Sequence, residues 1–587
     1  MDGGELIARV LERHGVRHLF TLCGGHISPL LVGAKRRGLS VIDVRDEASA
    51  VFAADAMARL TGITGVAAVT AGPGVTNAVT AIKNAQLAQS PVVVLGGATA
   101  TMLKGRGALQ DVDQVSLLAS AVKATFVAAR VRELPDLVED ALLAAASGVP
   151  GPVFVELPVD LLYGEELVRG WYGGKGGGGL GGWLVSRYLD RHARRLFRGA
   201  ARAARVVETA GPVPPPRPLA PDPAAVRRAA KRLGKARRPV LLVGAQALAG
   251  TGREDGPLPA AAVAAAVERL GVPAYLASGA RGLLGPASPL QARHQRKKAL
   301  READLVLLAG VPADFRLDYG RQIGKKAAVV AANLSQEEMR KNRKPELAAW
   351  SHPGLFLVEL ARAAGRLDRA RWAAWREALD ARDAVRDDEI ARMAAKPADT
   401  GINPLALCRE IDRAMADDAL IVADGGDFVA TASYVLRPRG PLAWLDPGPF
   451  GTLGVGGGFA LAAAATRPGR EVWLLWGDGS AAFSLAEIDT CARHGLAPIC
   501  VVGNDAGWTQ IAREQVEVLG DAVGTELAPT DYHRVAEGYG GAGLYVDRAE
   551  DVPAVLAEAG RIAAAGRPVV VNARLGKTEF RKGSISM

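Results

Sequence analysis

"WGDGSAAFSLAEIDTCARHGLAPICVVGNDAGW" runs from Trp476 to Trp508. "EVWLLWGDG" (471–479) leads into it with an apolar run of strand length, and "APICVVGND" (497–505) is a second such run. Between the two lies a helical stretch. Strands that alternate with helices build a parallel sheet covered on both faces. Asp478 sits between Gly477 and Gly479, where the strand should end and the helix begin. Free backbone N–H groups and the positive end of the helix dipole meet there, which suits phosphate. Asn504 follows 26 positions after Asp478, at the next strand end. Ligands at successive strand ends of one sheet can converge on one ion. A carboxylate, an amide oxygen and a backbone carbonyl are hard donors, suited to Mg²⁺ bridging a diphosphate. Gly-Asp-Gly alone would be an ordinary turn; the spaced asparagine makes the pattern specific.

The same alternation extends outward. "VRHLFTL" (16–22), "GVAAVTAG" (65–72), "PVVVLGG" (91–97) and "GPVFVEL" (151–157) read as buried strands. "EASAVFAADAMARLTG" (47–62) and "TNAVTAIKNAQLAQS" (76–90) read as helices between them. "RRPVLLVGAQAL" (237–248), "VPAYLA" (272–277), "ADLVLLAG" (303–310) and "KKAAVVAANL" (325–334) repeat the pattern, as do "DALIVADGGDF" (418–428) and "RPVVVNARLG" (567–576). The expected fold is α/β, with three doubly wound parallel-sheet domains. The expected boundaries are 1–165, 223–370 and 401–587, with a linker at 166–222 and a charged helical connector at 371–400. The first and third blocks are expected to be related halves of one catalytic unit. The linker contains a glycine run (173–182), a basic amphipathic helix (183–206) and a proline-rich spacer (211–223). Trp183, Leu184, Tyr188, Leu189, Leu196 and Phe197 fall roughly on one side of that helix, which is expected to pack on its own protein. Membrane-surface or partner binding is the less favoured reading.

A length of 587 residues exceeds one core and requires several domains. A net charge of +10 fits anionic small molecules as well as nucleic acid. Zinc-finger spacing and basic-aromatic interleaving are missing from the sequence, so no nucleic-acid partner is expected. Four cysteines without a CxxC pair point to a reducing compartment. The N-terminus lacks a signal-peptide pattern and no transmembrane run stands out, so a cytoplasmic protein is expected.

The Gly-Asp-Gly…Asn pattern resembles the thiamine diphosphate (ThDP) enzymes of the acetolactate synthase and pyruvate decarboxylase superfamily. That resemblance implies ThDP and Mg²⁺ as cofactors, with Asp478, Asn504 and the Ala506 carbonyl on the metal. Gly503 stands where the family usually has a first asparagine. "PGPFGTLGVGGGFALAAA" (447–464) is similar to the stretch beneath the thiazolium. It implies that Gly451 and Leu453 hold the aminopyrimidine and that the Leu453 side chain props the cofactor into its bent shape. "GGDF" resembles a loop that approaches the diphosphate, with Gly426, Asp427 and Phe428. Gly477, Gly479, Ser480, Gly507 and Trp508 complete the implied cofactor site. "VIDVRDEASAVFAADAMARLTG" (41–62) places Glu47 at a strand end, entering a helix, where alone it reads as a first-turn glutamate that helps the helix dipole. The resemblance makes it the carboxylate that bonds N1′ of the aminopyrimidine. It further implies a homodimer or homotetramer with the site shared between subunits.

Two stretches bear on the substrate. "RGALQDVDQ" (106–114) resembles the family stretch whose glutamine faces the reacting carbon, which implies that place for Gln110, with Leu109 where acetolactate synthases carry phenylalanine. "TLCGGHISPLL" (21–31) has Gly24-Gly25-His26, similar to the Gly-Ala-His of benzaldehyde lyase. A histidine and a glutamine there suit proton transfer on hydroxyls. The segment 279–320 resembles 2-hydroxyacyl-CoA lyases and oxalyl-CoA decarboxylases, and offers Arg281, Arg293, Arg296, Lys297 and Lys298 for phosphates. Arg581 and Lys582 lie on a tail that could close over the site. The implied reaction cleaves a 2-hydroxyacyl-CoA into an aldehyde and formyl-CoA, reversibly. His26, Gln110 and Glu47 are the catalytic candidates, and Gly25, Leu109, Phe450, Trp508, Arg281 and Arg581 the substrate contacts. Acetolactate synthesis from two pyruvates, another benzaldehyde-lyase-like ligation and a non-catalytic, membrane-associated paralogue are the alternatives. A membrane anchor ahead of the region, as some relatives carry, is not expected here.

Overall fold

The computed structural model describes residues 2–173 and 180–581. The chain forms two compact units: Met1–Ala58 with Ile63–Pro216, and Arg59–Gly62 with Arg217–Met587.

The first unit is built on one parallel sheet of β1 (His18–Thr21), β2 (Ser40–Asp43), β3 (Gly65–Val69), β4 (Val92–Ala98), β5 (Ala124–Val127) and β6 (Val153–Pro158). The spatial order is β2-β1-β3-β4-β6-β5. β3, β4 and β6 are buried at every position, as strands covered on both faces must be. The helix Gly3–Arg13 starts on Asp2, which accepts from the Glu5 N–H, and buries Leu6, Ile7, Val10 and Leu11.

The second unit holds two parallel sheets. One contains β7 (Pro239–Val243), β8 (Ala274–Leu276), β9 (Leu305–Ala309), β10 (Ala328–Asn333) and β11 (Leu347–Trp350), in the order β11-β10-β9-β7-β8. The other contains β12 (Leu420–Ala423), β13 (Trp444–Leu445), β14 (Val472–Gly477), β15 (Ile499–Asn504), β16 (Ala542–Val546) and β17 (Val569–Arg574). Its order, β13-β12-β14-β15-β17-β16, repeats that of the first unit strand for strand. The fold is therefore α/β with three doubly wound parallel sheets. In the first and third, the order reverses beside β1 and β12, and ligands of such sheets bind at that switch point.

Four strands had no counterpart in the sequence reading: β5, β11, β13 and β16. All four are edge strands. β5, β11 and β16 are only partly buried, so the continuous apolar run that marks an interior strand is missing, while β13 is buried but only two residues long. The basic linker helix also differs from expectation. It is two helices, Leu180–Phe197 and Ala200–Thr209, separated at Gly199 with φ of +85°. The glycine run is described only at its margins, because residues 174–179 lie outside the described residues, as does Lys582.

Candidate active site

In the first unit, one loop organises the catalytic candidates. β3 ends at Val69, and "TAGPG" (70–74) follows it at the switch point. Thr70 Oγ1 lies 3.3 Å from His26 Nδ1. Gly72 (φ +63°) leaves no room for a side chain beneath Gln110: a Cβ there would stand 2.9 Å from the Gln110 carbonyl oxygen. A Cβ on Gly74 would stand 3.3 Å from Glu47 Oε1. Three candidates from distant parts of the chain thus border a single five-residue loop. Glu47 is buried at the start of the helix Glu47–Thr61, and Asn77 Nδ2 donates to its Oε2 at 3.1 Å. His26 is half-buried, and burial holds its pKa below the usual 6.5, so the imidazole is neutral near pH 7. Gln110 is a non-glycine residue at φ +62°, a strained conformation that the surroundings must enforce.

Gln114, which the sequence reading passed over, supplies part of that enforcement. Its Oε1 accepts from the Gly72 N–H at 2.9 Å, and its Nε2 donates to the Gly97 carbonyl at 3.1 Å and to Glu156 Oε2 at 3.2 Å. Glu156 is buried and paired with Lys104. The ends of β3, β4 and β6 are thereby tied to the turn that carries Gln110. Gly25 exposes its backbone, and its carbonyl accepts from the Tyr163 hydroxyl at 3.3 Å. Leu109 is 82% exposed.

The second unit holds a cavity of about 510 Å³ at the switch point of its third sheet, lined by Gly426, Asp427, Phe428, Gly451, Leu453, Gly477, Asp478, Gly479, Ser480, Gly507 and Trp508. Its glycines leave space that a side chain would fill. A Cβ on Gly425 would lie 2.1 Å from Leu453 Cδ2, and one on Gly479 would lie 2.5 Å from the Trp508 ring. Gly503 has the same explanation. A Cβ there would meet the Phe428 ring at 2.4 Å, so the phenylalanine occupies the space over this position. The half-exposed Phe450 lies outside the cavity lining.

Asp424 at the end of β12 was also passed over. Its buried carboxylate accepts from the N–H groups of Gly454 at 3.0 Å and Gly456 at 2.9 Å, and from Trp476 Nε1 at 3.2 Å. These bonds clamp the backbone directly behind Leu453. Burial pushes the Asp424 pKa up to about 7 against the pull of the three donors.

Asp478 and Asn504 are both buried, at the ends of neighbouring strands paired Gly477 to Gly503. Asp478 Oδ1 accepts from the Gly479 N–H at 2.8 Å and Oδ2 from the Gly507 N–H at 3.0 Å. Asn504 donates its amide to Thr530 O and Asn572 Oδ1, which turns its oxygen toward the Ala506 N–H. Ala506 adopts φ of +55°, and its carbonyl accepts one bond, from the Leu527 N–H at 3.0 Å, leaving a second lone pair. Asp505 is pushed up to about 6, by burial first and then by the charges of Asp478 and Asp427. Among the described residues no three His, Cys, Asp or Glu side chains cluster as a metal site. A cation would therefore use the mixed set of carboxylate, amide oxygen and carbonyl, and these donors fit Mg²⁺.

A second cavity, of about 560 Å³, adjoins the first and shares Arg281, Ala430 and Ser433 with it. Arg281, Arg293, Arg296, Lys297, Arg386 and Arg581 line it, with no carboxylate among the described lining residues. Arg281 donates to the Ser433 carbonyl at 2.8 Å and lies over the Trp444 ring. Burial lowers the pKa of Arg281, Arg293 and Arg296, and neighbouring guanidinium groups add to the effect on the last two. Arg581 approaches Asp427, which pairs with Arg513 at 2.7 Å. Asp427 Oδ1, Arg513 Nη1 and Arg581 Nε are buried without hydrogen-bond partners among the described residues. Lys298 is exposed on the neighbouring helix surface, outside the lining.

Three family models match this arrangement: the N-terminal TPP binding domain of thiamine pyrophosphate enzymes over residues 1–117, their central domain over 226–360 and their C-terminal TPP binding domain over 424–573. The chain belongs to the thiamine pyrophosphate enzyme family. It is 46% identical to 2-hydroxyacyl-CoA lyase 2 of Danio rerio over all of this chain and 93% of the relative. It is 47% identical to the Homo sapiens protein of that name, over all of this chain and 92% of the relative. The acetolactate synthase large subunit of Mycobacterium tuberculosis is 35% identical, over 97% of this chain and 95% of the relative. As a thiamine pyrophosphate enzyme, the chain takes thiamine diphosphate as its cofactor. Among the described residues no helix is long and apolar enough to cross a membrane.

Proposed function

We propose that this thiamine pyrophosphate enzyme is a Mg²⁺-dependent 2-hydroxyacyl-CoA lyase. It would cleave its substrate to an aldehyde and formyl-CoA and also run the reverse ligation. The observation that carries this reading is the carboxylate-free basic cavity joined to the glycine-lined one through Arg281. A CoA thioester needs a reaction centre and a separate seat for its phosphates, and desolvated guanidiniums provide such a seat. Two pyruvates need no second cavity. The similarity to proteins named 2-hydroxyacyl-CoA lyase 2 points the same way.

In this reading Asp478, Asn504 and the Ala506 carbonyl hold Mg²⁺. Gly426, Asp427, Phe428, Gly477, Gly479, Ser480, Gly507 and Trp508 surround the diphosphate, while Gly451 and Leu453 hold the aminopyrimidine. Bound thiamine diphosphate supplies a carbon nucleophile and an electron sink. Glu47, buried and braced by Asn77, shares a proton with the aminopyrimidine. His26 takes the proton of the 2-hydroxyl while the Gln110 amide hydrogen-bonds that oxygen, so that it becomes the aldehyde carbonyl as the C1–C2 bond breaks. Thr70 fixes the imidazole ring that makes this transfer. The second product would be formyl-CoA, its thioester carbon carrying a proton in place of the broken C1–C2 bond. Gly25, Leu109, Phe450 and Trp508 would meet the acyl side, and Arg281 and Arg581 the CoA side. Glu47 lies in one compact unit and the diphosphate cavity in the other, and a homodimer or homotetramer with shared sites is the proposed active form.

Incubation with thiamine diphosphate, Mg²⁺ and a series of 2-hydroxyacyl-CoAs should release formyl-CoA and aldehyde. Arg293→Gln with Arg296→Gln should raise KM about tenfold or more while leaving kcat nearly unchanged. Acetolactate from pyruvate with no formyl-CoA from any thioester would replace this reading with acetolactate synthesis.

A further inference from the structure

The helix Leu180–Phe197 differs between its two ends. Near its C-terminus Ala193, Leu196 and Phe197 are buried, with Leu196 and Phe197 in the core of the first unit. His192 Nε2 lies 3.0 Å from Thr101 Oγ1, and the buried Asp160 accepts from Thr101 Oγ1 at 2.5 Å and from the Tyr172 hydroxyl at 2.8 Å. This end is firmly docked. Nearer the N-terminus, Trp183, Leu184, Val185 and Tyr188 are each 48–60% exposed. The adjoining helix Glu165–Gly173, joined by the Arg169–Asp190 ion pair, adds exposed Leu167 and Trp171. Arg187, Arg191, Arg194, Arg195 and Arg198 are exposed along the same helix and just past its end. From Trp183 to Arg205 the only acid is Asp190, and it is held by Arg169 and Arg194.

We propose that this helical pair seats the protein on an anionic lipid bilayer. Tryptophan and tyrosine rings favour the headgroup level, leucine and valine the acyl boundary beneath it, and arginines the lipid phosphates. The arrangement is a peripheral contact, with the docked end fixing the exposed tip in place. A nucleic acid would satisfy the arginines and leave the apolar tip without a partner. A second copy meeting the same face across a two-fold axis would set the arginine rows against each other. A bilayer satisfies both parts of the surface.

The test is flotation of the full-length protein with vesicles of phosphatidylcholine mixed with phosphatidylserine, and with vesicles of phosphatidylcholine alone. The wild-type chain should float with the mixed vesicles, more weakly at high salt, and little with the neutral ones. Trp183→Ser, Leu184→Ser and Tyr188→Ser combined should weaken flotation about tenfold or more, with unchanged circular dichroism and unchanged thiamine diphosphate affinity. Arg187→Gln, Arg191→Gln and Arg195→Gln combined should abolish the preference for phosphatidylserine. No flotation of the wild-type protein, or equal flotation of the serine variant, overturns the proposal. So does a change of oligomeric state in the serine variant, which would make this face a subunit contact. None of these readouts depends on the lyase reaction.

Discussion

In the sheet β2-β1-β3-β4-β6-β5, the loops that leave β1 and β3 at the switch point carry an imidazole and the small-residue turn beside Glu47 and Gln110. In β13-β12-β14-β15-β17-β16, the equivalent loops after β12 and β14 carry Asp424, Gly425, Gly426 and Asp478. The order is the same and the equipment is opposite. The first has an imidazole, an amide and a carboxylate packed against backbone, and the third has an open cradle of glycines and buried carboxylates. Topology thus sets where a ligand approaches, and the loop residues set what is done to it.

Four substitutions probe this division. Glu47→Gln should cost the most, lowering turnover about 10²–10⁴-fold while cofactor affinity changes little, because an amide cannot share the proton. Steady-state rates and a thiamine diphosphate titration check it, and a comparable loss of affinity would show that the first sheet also binds. Asp478→Ala should act on the other side, weakening Mg²⁺-dependent thiamine diphosphate binding about 10²-fold, as read by calorimetry.

His26→Ala should lower cleavage about 10²-fold and leave cofactor affinity intact. The wild-type kcat/KM should fall as pH drops through the lowered His26 pKa, below 6.5, since protonation removes the acceptor. That acid limb should be missing in the variant. Asp424→Ala should have the smallest effect on chemistry. It strands two backbone N–H groups and should reduce stability by about 1–3 kcal/mol. Because its folded pKa of about 7 lies above the ordinary carboxylate value of 3.8, the folded chain holds a proton that the unfolded chain releases between those values. Its contribution to stability therefore falls as pH rises through that window and is level above it. Thermal melts of wild type and Asp424→Asn across pH 4–7 should show a decline in wild type that the variant lacks.

Most of the interior architecture was legible in the sequence, and the gaps have a physical cause. Strands buried on both faces leave unbroken apolar runs, whereas the edge strands β5 and β16 are partly exposed and leave none. The place of Asp478 and Asn504 at neighbouring strand ends was legible because apolar strand runs lead into both. Asp424 was not, since an aspartate at a strand end looks solvated until its partners 30 and 32 residues away are seen. The neighbouring glycines in "ADGGD" were the available signal. Gln114 carried none, because its three partners lie 17 to 42 residues away. The basic helix read at 183–206 was expected to pack on its own protein, and in the helix Leu180–Phe197 the buried side chains among the described residues lie in its last turns.

The sequence by itself determined the class of fold and, through a motif shared with thiamine diphosphate enzymes, the cofactor, since periodicity and motifs are local properties of the chain. Tertiary structure alone decided that Thr70, Gly72 and Gly74 gather His26, Gln110 and Glu47 around one loop. It decided that scattered arginines from 281 to 581 share one cavity, and that Phe428 fills the space over Gly503. Parallel strands adjacent in space are remote in sequence, so contacts between their loops appear only once the sheet order is set.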